Sequence, residues 1–178
     1  SYEKDSLANA LVLYESANLY IDEENDFKFR TDYFYRIKIF NRNAYSKADI
    51  NIPLYGDQKA INIKALSYNI VDGEIVKTQL KNKDIFKLKR SELWNEIKFT
   101  IPKINDGVVI EYSYSILSPY SQLDDWYFQS DIPKLKSEFN ASILGNYQYN
   151  IRLFGSHPLS KNEQSRKRNC IYIPNLGN

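Results

Sequence analysis

Residues 124–133 read DDWYFQSDIP, setting Asp124 and Asp125 beside Trp126, Tyr127, Phe128 and Gln129. Paired carboxylates beside aromatic rings are the equipment of a glycosidase, whose acids stand about 5 Å apart when retaining and about 6.5–9.5 Å apart when inverting. Adjacent residues of an extended strand point to opposite faces, so these two acids are poorly placed to share one substrate. Asp131 could pair with one of them. The plainer reading makes them acids that hold the turn after SPYSQL. On that reading Trp126 and Phe128 share the buried face of a strand and Asp125 and Tyr127 the other. Asp125 and Gln129 then satisfy donors at a corner, and Ile132 before Pro133 closes the run at an edge.

A second chemistry needs a thiol within reach of an imidazole oriented by an acid. One Cys, Cys170, and one His, His157, are all the sequence offers. His157 stands in the loop-like GSHPLS and Cys170 in the apolar CIYIP, so both read as structural residues. One Cys makes no internal disulfide, and one Cys with one His makes no zinc site. The chain alone is therefore expected to turn over nothing and to need no cofactor.

A third possibility is stacking of sugars on exposed rings. The 15 Tyr, 9 Phe and 2 Trp are a large aromatic share. Tyr at strand period is usually core with its hydroxyl at the rim, and Tyr45, Tyr55 and Tyr120 are scattered among turns.

Composition narrows the partners. The 24 basic and 22 acidic residues leave a net charge of +2, without the basic face that nucleic-acid binding requires. The basic run SRKR, 165–168, reads as a solvated loop. No apolar run approaches the roughly 18 residues that span a bilayer. With no Met in the sequence, the chain is expected to be a processed product or a piece of something longer.

The elements that would position any site are strands. In FKFRTDYFYRIKIFN, Phe27, Phe29, Tyr33, Tyr35, Ile37 and Ile39 alternate with polar residues, a strand long enough to bend or to serve two sheets. Phe34 and Phe40 interrupt its wet face and imply partial cover. In AINIKALSYNIV the apolar phase switches near Ala65–Leu66, which predicts a bulge there, with Ile61 and Ile63 facing opposite to Tyr68 and Ile70. Asp72-Gly73 between apolar runs is a hairpin signal. A second Asp-Gly, Asp106-Gly107, leads into VVIEYSYSIL, where Val108, Ile110, Tyr112, Tyr114 and Ile116 oppose Glu111, Ser113 and Ser115. Further strands are expected at 11–15, 49–54, 137–144, 147–154 and 171–173, and single helical turns at 82–86 and 91–96. Many strands, tight turns and few helices predict one domain over 1–178, an all-β antiparallel sandwich with at most one or two short helical turns.

The order of several short motifs resembles a bacterial family, the β-rich domain of unknown function found just before transglutaminase-like domains in exported proteins. The matching pieces are ANALVLYES, RIKIFN, ADINIPL, IKALSYN, IKFTIP, GVVIEYSY, Ser118-Pro119, DWYFQSDIP and SEF, running from Ala8 to Phe139. Glu111 and Tyr112 in GVVIEYSY, with Asp125 to Gln129, are the positions these motifs single out. The resemblance implies a periplasmic or extracellular location and a papain-like catalytic domain C-terminal to this one. It assigns no catalytic residue to the β domain. The expected role is a non-catalytic module that docks on or positions that catalytic domain. The alternative is a carbohydrate- or peptidoglycan-binding sandwich, with a glycan or peptide as ligand. A docking face should be continuous and apolar, whereas a glycan platform needs two or three coplanar exposed rings.

Overall fold

The computed structural model describes residues 7–143, together with 152, 154 and 158–163. His157, Cys170, the run 165–168 and the strands expected at 147–154 and 171–173 lie outside them, residues 152 and 154 excepted. The chain divides into one unit over Ser1–Ser142 and another over Ile143–Asn178.

Nine strands among the described residues, all in the first unit, run in chain order: β1 (Ala10–Asp22), β2 (Lys28–Ile39), β3 (Asp49–Tyr55), β4 (Lys59–Val71), β5 (Glu74–Gln79), β6 (Phe86–Lys89), β7 (Trp94–Thr100), β8 (Val109–Ser118) and β9 (Ser137–Ser142). They form a six-stranded sheet, β5-β4-β8-β2-β1-β9, and a three-stranded sheet, β3-β7-β6. All pairs are antiparallel except β1 with β9. The all-β sandwich expected from the alternating pattern is the fold.

Period-two alternation decides which side chains meet between the sheets. Ile37 and Ile39 of β2, Ile110 and Ile116 of β8, Ile52 and Leu54 of β3 and Ile97 and Phe99 of β7 form the buried cluster. Ala44 and Ala48, from a 3-10 helix at Arg42–Ala48, join it where β2 crosses to β3. Two further 3-10 turns stand at Glu23–Asn25 and Asn82–Asp84. That makes three among the described residues, where at most one or two were expected. The turn expected at 91–96 is instead a bend leading into β7. Pairing with β3 and β6 supplies residues 94–96 with partners that a lone helical turn would lack.

The strand pattern requires further corrections. β2 does not serve two sheets; it lies between β1 and β8 for its whole length. Phe34 is covered as expected, by the Tyr14 ring at 5.8 Å and the Arg36 guanidinium at 5.5 Å. The β4 bulge exists but lies earlier than the sequence suggests. Its register shifts between Ile61 and Lys64, Asn62 takes φ 56°, and the ladder is regular through Ala65. Ile61 therefore shares the outer face with Tyr68, because the extra residue is spent before Ala65 rather than after it. Asp72-Gly73 is a hairpin turn, with φ of 51° and 84°, whereas Asp106-Gly107 joins strands of different sheets.

Candidate functional site

β8 runs antiparallel to β2, and β2 antiparallel to β1, so β8 is parallel to β1 and to β9. Parallel strands cannot be joined by a tight turn and need a crossover of a dozen or more residues. Residues 119–136 are that crossover, and DDWYFQSDIP is its centre. It leads from β8 past β2 to the far side of β1. A segment crossing strands in this way finds no ladder, so the expected strand at 124–133 is absent; an isolated bridge joins Lys134 to Val12.

The burial expected of this stretch nevertheless holds in part. Trp126 and Phe128 are half-buried and meet edge to face at 6.4 Å, while Asp125 and Tyr127 are exposed. Trp126 lies 6.3 Å from Tyr33, 6.3 Å from Tyr35 and 6.2 Å from Phe139. Beneath it the cross-strand pairs Tyr33–Tyr114 and Tyr35–Tyr112 stack at 4.9 and 4.6 Å. Asp125, expected to satisfy donors at a corner, is exposed.

The buried acid against this crossover is Glu15, which sequence reasoning missed. β1 pairs regularly with β2 until a bulge between Val12 and Tyr14 shifts its phase. That shift sets Glu15 opposite Tyr35 on the inner face. Glu15 Oε1 accepts from Lys134 Nζ at 2.6 Å and from Ser137 Oγ at 2.6 Å. Ser137 Oγ in turn accepts from Trp126 Nε1 at 3.1 Å, and Lys134 Nζ also donates to the Tyr127 carbonyl at 2.6 Å. Side-chain exposures of 4% for Glu15 and 11% for Lys134 make this a desolvated ion pair. Its oxygen is committed to two donors, so the arrangement clamps the crossover to β1 and does not present a free base. Backbone bonds from Val12 N to Pro133 O, Leu135 N to Val12 O and Glu15 N to Lys136 O reinforce the clamp.

Burial, with the Asp124 charge second, pushes the Tyr33 hydroxyl up to about 12. Burial likewise raises Tyr35, Tyr112 and Tyr114, helped by their neighbours' charges. Asp124 is itself raised, by desolvation and then by Asp125. A phenol whose folded pKa lies above its unfolded value of 10.0 contributes stability that is complete below pH 10 and lost as pH rises above it. Titration at 295 nm should therefore show these four ionising late, together with loss of the fold. Reversible ionisation of all 15 Tyr near pH 10 with the fold intact would contradict this packing.

The other two positions singled out by the motifs lie on opposite faces of β8. Tyr112 faces inward in the tyrosine array. Glu111 faces outward, where Arg36 Nε donates to it at 2.8 Å. Trp126 and Tyr112 thus both pack on Tyr35, whereas Asp125, Tyr127 and Gln129 are exposed and Glu111 lies on the other face.

A second feature lies on the outer face of the three-stranded sheet. Cross-strand pairing sets Phe86 beside Lys98 and Asn51, Leu88 beside Glu96 and Pro53, and Trp94 beside Tyr55. Phe86, Leu88, Trp94 and Tyr55 are all exposed, as is Leu93 in the bend before β7. Glu96 is buried among them and ion-paired to Arg90 and Lys98. Tyr120 joins the end of this face, 5.6 Å from Tyr55 and inclined at 56°. Trp94 stands 5.2 Å from Tyr55 at 63°. Gly56, at φ +53°, permits this approach, since a Cβ there would run into the Tyr120 hydroxyl. Tyr55 and Tyr120 are therefore clustered rather than scattered, whereas Tyr45 packs on the core and donates to Asp106 at 3.0 Å.

No protein-family model and no curated protein matches the chain. Among solved structures, it resembles a "putative protease" from Parabacteroides distasonis, with a TM-score of 0.59 and 20% identity. The likeness is one of fold. It covers 76% of this chain but 28% of that one, so this chain spans little more than a quarter of its neighbour's length. Yeast LTA4 hydrolase in complex with Bestatin matches at a TM-score of 0.33 and 14% identity over 65% of this chain and 16% of that one, too slight a likeness to carry an argument. No helix among the described residues is long and apolar enough to cross a membrane.

Proposed function

We propose that this chain is a non-catalytic module of an exported bacterial protein, the accessory domain that precedes a transglutaminase-like domain and docks on it. The observation that carries the reading is the group of exposed apolar side chains Phe86, Leu88, Trp94 and Tyr55 on the outer face of the three-stranded sheet, with Leu93 exposed in the bend before β7, since clustered exposed apolar side chains mark interaction sites. A buried Glu96 held by two cations gives the patch a polar centre that fixes orientation. The fold neighbour is itself a much longer protein. A periplasmic or extracellular location and a catalytic domain as partner belong to the same proposal and rest on the motif resemblance.

The glycan-binding alternative draws on the Tyr55–Trp94–Tyr120 cluster. Its rings are inclined by 63° and 56°, whereas a sugar platform needs them coplanar. Calorimetry with the catalytic domain of the same protein separates the two readings. Leu88→Asp with Trp94→Asp should weaken docking by about thirtyfold, as loss of a hot spot of about 2 kcal/mol does. Unchanged docking would overturn the proposal. Binding to a glycan array that is abolished by Trp94→Ala would favour the alternative.

A further inference from the structure

We propose that two copies of this chain associate edge to edge through β5, antiparallel about a twofold axis at Val76. β5 is the last strand of the six-stranded sheet, and among the described residues nothing pairs with its outer edge. The β4–β5 hairpin is apolar on both faces where it is most open. Ile70 and Ile75, a cross-strand pair, are 75% and 68% exposed on one face; Val71 and Val76 are 48% and 44% exposed on the other. The row of unpaired N–H and C=O groups on an exposed edge strand is a template for a further strand.

The hairpin's own geometry limits the register. A two-residue turn makes Val71 and Glu74 a hydrogen-bonded pair, so alternation leaves Ile75, Lys77 and Gln79 with backbone N–H and C=O groups pointing away from β4. Antiparallel copies related by a twofold axis normal to the sheet keep each residue on the same face, so a residue can oppose only one of its own parity. Setting Val76 opposite itself makes Ile75 of one copy and Lys77 of the other a hydrogen-bonded pair, and no like charges face each other. Charge selects the same direction. Asp72 and Glu74 mark the tip, while Lys77, Lys81 and Lys83 follow towards the base. Antiparallel pairing therefore brings the acidic end of each hairpin towards the basic end of the other. The inference is independent of the outer face of the three-stranded sheet and of what docks there.

Sedimentation velocity of the 178-residue chain over a dilution series tests it. The weight-average mass should climb towards that of a dimer, with a dissociation constant on the order of micromolar, as small interfaces give. Val76→Lys and Val76→Glu, each on a half-exposed position, should each be folded by circular dichroism and monomeric. An equimolar mixture of the two should dimerise again, because on the axis Lys meets Glu. A wild-type chain that stays monomeric at the highest concentration, a Val76→Lys variant that dimerises as wild type does, or a mixture that fails to recover dimer would each overturn the proposal.

Discussion

Replacing Lys134 with Met is expected to destabilise the chain by about 3–5 kcal/mol, because it strands Glu15 as an unpaired charge in a desolvated site. Glu15 Oε1 would keep the Ser137 hydroxyl at 2.6 Å as a donor, but a neutral hydroxyl does not neutralise a carboxylate. The double variant Glu15→Gln with Lys134→Met removes both charges and should recover most of the loss, since a buried ion pair often contributes little over neutral packing. Urea unfolding of wild type and both variants checks this. A Lys134→Met variant within about 0.5 kcal/mol of wild type would show that the pair is solvated in solution.

The second large effect is at Trp126. Its ring lies over Tyr33 and Tyr35 and beside Phe139, and its indole N–H is bonded to Ser137. Trp126→Ala should cost about 3–5 kcal/mol, as aromatic-to-Ala changes in packed sites do. It should also lower the pH at which the tyrosine array ionises, since the cover is gone. Trp94→Ala on the exposed face, by contrast, should leave thermal stability nearly unchanged, and Asp125→Asn should lie within about 0.5 kcal/mol of wild type. If Trp94→Ala proved the more destabilising of the two Trp variants, the assignment of cover and open face would be reversed.

The strands were legible because period-two alternation survives in the amino-acid order. Ile37, Ile39, Ile110 and Ile116 all carry it, and all are buried. Bulges and crossovers account for what the pattern concealed. The bulge at Val12/Tyr14 places an acid inward, yet in LYESANLYID it looks like the end of a short strand, so the strand expected at 11–15 is in fact Ala10–Asp22. β6, FKLK, was missed because an edge strand four residues long carries too little pattern to stand apart from its turn. The crossover defeated the strand expectation at 124–133 because alternation reports burial, and a segment packed across a sheet is buried on one side just as a strand is. Tyr55, Trp94 and Tyr120 come from three separate segments, so their meeting depends on the β3–β7 register and could not be read from spacing.

The docking claim is tested most directly by hydroxyl-radical footprinting of the isolated chain against the longer protein to which it is proposed to belong. In the isolated chain Phe86, Leu88, Trp94 and Tyr55 should be oxidised along with Phe27 and Tyr127, all six being exposed. In the longer protein the first four should be protected and the last two labelled as before. Equal labelling of Trp94 and Phe86 in both would contradict the account.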